Sequence, residues 1–219
     1  RKTGNGVRVR RLFCLPLAPG QAADNAGLIA ALKSVVSRGS FRGRRVTFNV
    51  PFRDLSVVPI RFPHGGEEDP EEAIVREALK YLPYPPEEAI IDYPSIVRRD
   101  KNCDALVVAI HRRVMDRWLG ILRSAGMSPE AVECSVTSLL RLHRSIFPNE
   151  ERAALLCHVG RTASRLAVVQ GESILSFSEI SWGIEPLWEK IRDNLHLAVP
   201  GGNAGNLLKR YGLAYAERE

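Results

Sequence analysis

The sequence has no long hydrophobic stretch. Its longest unbroken apolar run spans residues 105–110, far fewer than the roughly 18 residues that a membrane-spanning helix needs. No charged-then-apolar leader of the secretory type opens the sequence. With 219 residues, of which 45% are apolar, the chain is long enough for one large core or two small ones. We therefore expect a soluble globular protein that reaches any membrane only through a partner.

The cysteines are few and widely separated. Cys14, Cys103, Cys134 and Cys157 form no Cys-x-x-Cys pair, and this spacing argues against both a structural zinc site and a disulfide framework. The histidines show no metal-ligand spacing either. Each cysteine lies in an apolar, strand-like run, so we expect small buried side chains in a reducing compartment.

The sequence also lacks a nucleic-acid-binding motif, although it is basic. Its net charge of +6 comes with arginines in adjacent pairs, and such pairs can meet nucleic acid or anionic lipid. No aromatic residues are interleaved with them, so we favour solvated ends of strands and helices and expect no nucleic-acid partner. The pairs are Arg10 and Arg11, Arg44 and Arg45, Arg98 and Arg99, and Arg112 and Arg113.

What the sequence does contain is an alternation of strand and helix patterns. Alternating valines and arginines predict a strand over 7–17, Asp24 is placed to cap a helix that ends near residue 37, and a strand over 44–50 follows. Further along, the patterns predict strands at 55–62, 89–93, 103–110 and 130–134 and helices at 70–82, 112–126 and 135–146. This order predicts an α/β fold.

Two of these helices carry finer predictions. Asp69 and Pro70 are spaced as an N-cap and a first-turn proline, and the apolar stripe of their helix predicts that Leu79 is buried. Ser135 is placed to cap the last of the three helices. Residues 147–151 then form the best linker in the sequence.

The stretch 153–183 contains three strand patterns separated by tight turns, predicted over 154–159, 165–169 and 173–177. It resembles the second phosphate-binding hairpin of the actin-like ATPase fold. There an Asp-x-Gly-x-x-x-Thr turn surrounds the phosphates with amides and hydroxyls, and the carboxylate holds a Mg²⁺-bound water. In this sequence the Asp position is His158, whereas Gly160, Thr162 and Ser164 are retained. The resemblance implies an ATP site without its metal-facing carboxylate.

Two segments in the middle of the chain carry a more specific pattern. They are EALKYLPYPPEEAIIDY at 77–93 and ALVVAIHRRVMDRWLGILRSAGMSPEAVECSVTSLLRLH at 105–143. In order and spacing they resemble the PilM family of type IV pilus assembly proteins, which belongs to the actin-like ATPase superfamily and is related to FtsA. The resemblance implies an α/β, actin-like (ribonuclease H-like) fold with an inserted SHS2-like 1C subdomain.

The same resemblance divides the chain into parts. Residues 1–52 and 128–149 resemble subdomain 1A, residues 53–127 resemble the inserted 1C subdomain, and residues 150–219 resemble the beginning of subdomain 2A. The family's first phosphate loop would precede residue 1, and its second adenosine-side loop would follow residue 219. The implied fold therefore lacks the first phosphate-loop strand and the end of the second domain.

Carried over residue by residue, the family's nucleotide site falls on Gly160, Thr162, Ser164, Gly183 and Lys209, as a degenerate ATP site. Each has an ordinary alternative, because glycine and threonine are common in hairpin turns and Lys209 is placed to neutralise the end of a helix. Since the carboxylate is missing, we expect no ATP or Mg²⁺ cofactor, assign no catalytic or metal-binding residue, and favour a scaffold over an enzyme. The alternative is an actin-like ATP-binding protein whose missing motifs lie outside this chain.

The resemblance also implies a partner. If the resemblance holds, the chain is a cytoplasmic adaptor of a type IV pilus or type II-like secretion platform at the inner membrane. It would bind the cytoplasmic N-terminal tail of a PilN-like membrane protein in a groove between 1A and 1C, and self-association stays open. We place partner contacts at Arg53, Tyr81, Pro83 and Tyr84, because tyrosines beside a proline-ended helix offer apolar walls with hydroxyls at the rim. The alternative for 81–84 is a rigid internal turn.

Overall fold

Three β-sheets and five helices organise the part of the chain that the computed structural model describes, which is residues 2–3, 6–7, 10–17, 20–21, 24–63, 69–99 and 102–194. The strands are β1 (Lys2–Thr3), β2 (Gly6–Val7), β3 (Arg45–Asn49), β4 (Ser56–Pro63), β5 (Ala89–Arg99), β6 (Asn102–His111), β7 (Ser128–Glu133), β8 (Ala154–Val159), β9 (Ser164–Gln170) and β10 (Ser173–Ile180). The helices are α1 (Asn25–Arg38), α2 (Pro70–Leu79), α3 (Arg112–Ser124), α4 (Ser135–Ile146) and α5 (Ile184–Asn194). Besides the sheets, β1 and β2 form a short antiparallel pair.

The first sheet is the parallel pair β3–β7, with α1 and α3 against it. Helix α1 begins as predicted, because the Asp24 carboxylate accepts hydrogen bonds from the amides of Ala26 and Gly27 at 3.1 and 2.8 Å. Leu28 of α1 packs with Trp118 and Ile121 of α3 in a common apolar core. The helix α3, which belongs to the predicted inserted part, therefore lies against an element of the predicted 1A part; the proposed division itself stays a prediction.

The second sheet is antiparallel in the order β4–β6–β5. Successive side chains of a strand point to opposite faces, and β6 uses both. Val107 faces α2, where Ile74 and Ala78 are fully buried. Leu106 belongs to a different core, which it shares with residues of β9 such as Val169. This double burial explains why residues 105–110 form the longest apolar run of the chain.

The third sheet is antiparallel in the order β10–β9–β8, and its three strands lie where the sequence predicted them. Helix α4 packs on β8 and β9. Ala167, Val169 and Ile174 of this sheet join Val136 of α4 and Leu106 of β6 in one core. The second and third sheets are thus held together by shared apolar contacts rather than by hydrogen bonds between strands.

The strand predicted over 7–17 is wrong for residues 10–17, which belong to no helix or strand. Only Val7 lies in a strand, β2, and residues 8 and 9 are outside the described residues. A strand needs a neighbour for its amides and carbonyls, and among the described residues 10–17 pair with none. Leu12 is 91% exposed, and Phe13 instead lies under the Arg38 guanidinium, 5.9 Å from its ring centre.

Two details of the predicted helices also differ. Helix α2 ends at Leu79 rather than at residue 82, because the Tyr81 amide turns back to the Ala78 carbonyl at 3.0 Å ahead of Pro83. Leu79 is only half-buried, whereas Ile74 and Ala78, one turn apart, take the inward face.

At the start of α4, Ser135 is the first helical residue and not its cap. Cys134 occupies the cap position and makes no side-chain capping bond. The expectation of four buried cysteines holds for Cys103 and Cys134, while Cys14 and Cys157 are exposed. The strand-like run around Cys14 forms no strand, and Cys157 is on the outer strand β8 of its sheet.

Candidate functional site

A cavity of about 330 Å³ lies where the carboxyl ends of β3 and β7 meet the second sheet. Val50, which follows β3, is buried in its wall, and so is Cys134, which follows β7. The opposite wall consists of residues from β5 and β6, and α3 and α4 close the sides. The lining residues are Val50, Leu55, Ile90, Asp92, Pro94, Val108, Ala109, Ile110, Met115, Val132, Glu133, Cys134, Thr137 and Arg141.

The walls are apolar and the charges are confined to a few positions. Arg141 forms an ion pair with Glu133, so the cation of α4 and the last carboxylate of β7 largely neutralise each other. Asp92 is exposed, and its carboxylate accepts the Tyr93 amide at 2.9 Å. Ser138 donates to Glu133 at 3.1 Å, which ties α4 to the end of β7. The cavity is therefore a hydrophobic recess with a mixed polar rim.

Strand β5 offers a second feature beside this recess. Within the described residues it is an outer strand of its sheet. Its pairing with β6 is interrupted between Asp92 and Ser95 by an irregularity, and Pro94 in that interval has no amide hydrogen to donate. Asp92 and Pro94 both line the cavity. An extended peptide lying here would meet a strand edge as well as apolar pockets.

Arg53 is placed close to the cavity without lining it. It lies in the 3₁₀ turn Phe52–Asp54, between the lining residues Val50 and Leu55. Its exposed guanidinium is 3.8 Å from the Asp54 carboxylate. Asp54 in turn accepts a hydrogen bond from the indole of Trp118 at 2.8 Å. The turn that carries Arg53 is therefore anchored to α3.

Tyr84 lies at the junction of β6 and α3. The Tyr84 ring meets the His111 ring edge-on at 5.2 Å between centres, and its buried hydroxyl has no hydrogen-bond partner among the described residues. His111 is 2.8 Å from Glu88 and caps α3 by accepting the Arg113 amide at 3.1 Å. Tyr84 therefore contacts His111, the residue that follows Ile110 of the cavity wall.

The other two predicted contacts are surface residues. Tyr81 is 61% exposed and Pro83 is exposed as well. None of Arg53, Tyr81, Pro83 and Tyr84 lines the cavity, and their partner-binding role stays a prediction. Sequence reasoning missed the lining residues Leu55 and Val132, although they flank the predicted subdomain boundaries at 52/53 and 127/128.

The predicted phosphate turn brings three of its residues together. The Gly160 amide donates to the Ala163 carbonyl at 3.0 Å, and the buried Ser164 hydroxyl donates to the Trp182 carbonyl at 2.7 Å. A Cβ atom at Gly183 would lie 2.6 Å from the Gly160 carbonyl oxygen, so only glycine permits this approach. The turn and the start of α5 are therefore packed backbone against backbone.

The carbonyls of this turn accept the first amides of α5. The Ile184 amide donates to the Gly160 oxygen at 2.9 Å, and the Glu185 amide to the Arg161 oxygen at 2.8 Å. Unpaired amides at a helix start are what binds phosphate, and here two are paired with backbone oxygens. Thr162 is exposed, and so is His158, which is paired with Arg165 across the strands. Lys209 lies outside the described residues.

The described part of the chain contains no group of three or more histidine, cysteine or acidic side chains able to hold a metal ion. None of its helices is long and apolar enough to cross a bilayer.

A sequence profile of the family described as type IV pilus assembly protein PilM matches residues 2–216. The chain belongs to the PilM family. The fold agrees: a solved PilM-PilN type IV pilus biogenesis complex is similar with a TM-score of 0.69 and 22% identity, over 90% of this chain and 60% of that chain. No curated protein sequence matches.

A second solved structure is the cytoplasmic domain of EpsL, an inner membrane component of the type II secretion system of Vibrio cholerae. It has a TM-score of 0.50 and 14% identity, over 70% of this chain and 56% of that chain. The chain thus spans less than two thirds of the length of both relatives. These similarities confirm the predicted fold class, an actin-like α/β fold.

Proposed function

We propose that this PilM-family chain is a cytoplasmic adaptor of an inner-membrane platform for a type IV pilus or a related type II secretion system. It binds the cytoplasmic N-terminal tail of a PilN-type membrane protein and is recruited to the membrane through that contact. Family membership and the fold shared with a PilM-PilN complex and with EpsL support the role. The same contact would recruit the chain to the membrane in either system.

The observation that carries the proposal is the cavity of about 330 Å³ at the junction of the first two sheets. We take this cavity to be the groove that the family resemblance implies between the 1A-like and 1C-like parts. Apolar walls suit side chains of an extended peptide, and the outer edge of β5 suits its backbone. The rim charges Asp92, Glu133 and Arg141 then provide polar selectivity around an apolar centre.

Arg53 and Tyr84 take supporting positions in this proposal. Arg53, on the turn between Val50 and Leu55, can pair with an acidic or carbonyl group of the tail beyond the cavity mouth. Tyr84 supports the wall indirectly through His111, which follows Ile110. We therefore expect substitutions at these two residues to weaken tail binding less than a substitution in the lining itself.

The test is titration of the purified chain with a labelled peptide of the N-terminal cytoplasmic tail of the membrane protein encoded beside it. Val132 lines the cavity and is 38% exposed, so Val132→Glu introduces a charge at the rim without emptying a core. We expect about thirtyfold weaker binding, the loss typical of an interface hot spot. Val159→Glu is the matched control, because Val159 on β8 is 44% exposed and lies outside the cavity.

Arg53→Ala and Tyr84→Ala complete the series, after thermal melts have shown that each variant folds. If Val132→Glu and Val159→Glu bind the tail equally well, the cavity is not the tail site. If the unmodified chain fails to bind the tail at all, the adaptor role itself is contradicted.

A further part of the proposal is that the turn at 160–163 does not hold Mg-ATP. His158 replaces the carboxylate that would hold a metal-bound water, and the first amides of α5 are already paired with Gly160 and Arg161. These residues do not fit a nucleotide tail with its Mg²⁺. Calorimetric titration with ATP and MgCl₂ should show no saturable heat, and micromolar, Mg²⁺-dependent binding would overturn this part.

A further inference from the structure

A second cavity, of about 500 Å³, lies at the amino ends of β3 and β7. It lies between the last turn of α1 and the segment that follows α3, and we call it the basic cavity. The cavity of about 330 Å³ proposed above to bind the tail, which we call the tail cavity, is at the opposite end of the parallel pair. The lining residues of the basic cavity are Val35, Val36, Phe41, Arg42, Gly43, Arg44, Arg45, Val46, Ala125, Gly126 and Met127.

The floor of the basic cavity is apolar and held in place by local packing. Phe41 lies so close to Gly39 that a Cβ atom there would be 2.2 Å from the aromatic ring. Gly126 has a φ of +82°, a left-handed conformation that ends α3 and turns the chain toward Met127. The floor is thus shaped by two turns that depend on glycine.

The rim is positively charged and largely uncompensated. Arg45 is paired with Glu130. Arg42 and Arg44 are exposed, and among the described residues neither forms an ion pair. In the described part of the chain, the lining of this cavity includes no acidic residue. Two free guanidinium groups therefore border an apolar recess.

We propose that the basic cavity docks an acidic peptide segment of another protein, with one large apolar side chain on its floor and flanking carboxylates on Arg42 and Arg44. Charge complementarity supports an acidic ligand, because arginine clusters recognise carboxylates in bidentate geometry. The concave floor favours a peptide over a bilayer, because a flat lipid surface cannot fill a recess behind the rim. This site is additional to the proposed tail site, and its position at the other end of β3–β7 lets the chain hold both partners together.

The probe is a fluorescein-labelled peptide with a central phenylalanine flanked on each side by two glutamates, measured by fluorescence anisotropy. Matched peptides carry serine in place of phenylalanine or lysines in place of the glutamates. We expect saturable binding of the acidic, phenylalanine-containing peptide alone, weakened by added salt because the rim is exposed. The double variant Arg42→Glu and Arg44→Glu should bind about tenfold more weakly or worse.

The control is the double variant Arg10→Glu and Arg11→Glu, which changes the net charge equally at exposed positions outside the cavity. Phe41→Ser is a second variant, which removes the aromatic ring from the apolar floor while keeping every arginine. Retained binding in the Arg42 and Arg44 variant, or equal loss in both double variants, overturns the proposal. So does the absence of saturable binding of the acidic peptide up to about 1 mM.

Vesicles containing phosphatidylglycerol test the competing occupant. If they bind the unmodified chain through Arg42 and Arg44 while the peptide does not, the surface is a lipid contact and the peptide proposal is wrong. Binding of the PilN-type tail serves as a separate readout, because it should be unchanged in the Arg42 and Arg44 variant.

Discussion

The two cavities at the ends of the β3–β7 pair are built in different ways. The tail cavity is walled by buried residues such as Val50, Ala109 and Ile110, and its arginine is paired with Glu133. Apart from the buried Ala125, the walls of the basic cavity are partly or fully exposed, including Phe41, and two of its arginines have no ion pair among the described residues. One end of the pair is therefore part of a hydrophobic core, and the other is a surface feature.

This difference separates stability from binding. Residues that line the tail cavity also hold the first two sheets together, so their truncation costs folding free energy as well as affinity. Residues that line the basic cavity contribute little to the core, so their substitution should change binding alone.

The largest effect is expected from truncating a buried wall residue of the tail cavity. Ile110→Ala removes a side chain that is 4% exposed, which should lower the free energy of unfolding by about 2–5 kcal/mol. Val36→Ala, its counterpart in the basic cavity, is only partly buried and should cost less than about 1 kcal/mol. Equilibrium unfolding in urea measures both. Similar losses for the two variants would erase the distinction between the cavities.

The turn beside the tail cavity provides the second prediction. Trp118→Phe keeps the ring packing with Phe48 but removes the hydrogen bond to Asp54. A partly buried carboxylate then loses its donor, which should cost about 1–3 kcal/mol. Urea unfolding measures the loss, and Asp54→Ala in the Trp118→Phe background is the control. If removal of Asp54 costs as much in that background as in the unmodified chain, the bond contributes nothing.

A smaller effect is expected at the rim. Arg141→Gln breaks the ion pair with Glu133, but both groups face solvent to some extent, so the stability change should be below about 1 kcal/mol. Tail binding should respond more, because the carboxylate at the cavity mouth becomes uncompensated. A stability loss well above this range would mean that the rim belongs to the core.

The smallest effect concerns a paired carboxylate remote from both cavities. Hydrogen bonds from the Arg152 side chain and amide lower the pKa of Glu150 to about 2. Because the folded pKa lies below the unfolded one, the resulting stabilisation is present above about pH 4.5 and is lost as the pH falls toward about 2. NMR titration of the carboxyl carbon should show this pKa and its rise in Arg152→Gln. An unchanged pKa in the variant would disprove the assigned cause.

Much of the α/β order was predictable from local patterns. The helix start at Asp24, the strand over 44–50 and the three strands after residue 153 lie where the sequence places them, because caps and apolar alternation act over a few residues. The strand predicted over 7–17 is wrong for residues 10–17, because an alternating pattern in one segment does not show whether a partner strand exists. The burial predicted for Leu79 is wrong because Ile74 and Ala78 take the inward face of α2, which leaves Leu79 half-buried as the last residue of the helix.

The candidate site was less predictable than the fold. The groove between a 1A-like and a 1C-like part was expected from the family resemblance, and its identification with the cavity beside β3 and β7 stays a proposal. Its lining residues come from six segments between Val50 and Arg141, and no spacing in the sequence links them. The tyrosines at 81 and 84 stood out because aromatics beside prolines form a local pattern, yet neither lines the cavity.

By itself the sequence determined the local order of helices and strands, the family, and the presence of His158 where the family resemblance implies a carboxylate, since each depends on residue types at short or ordered spacing. Only the tertiary structure decided that β6 is buried on both faces, that the amides of Ile184 and Glu185 are paired by the turn before them, and that the two ends of β3–β7 open into unlike cavities. These features arise from contacts between residues far apart in the chain. Such contacts depend on how the sheets pack, which local propensity does not specify.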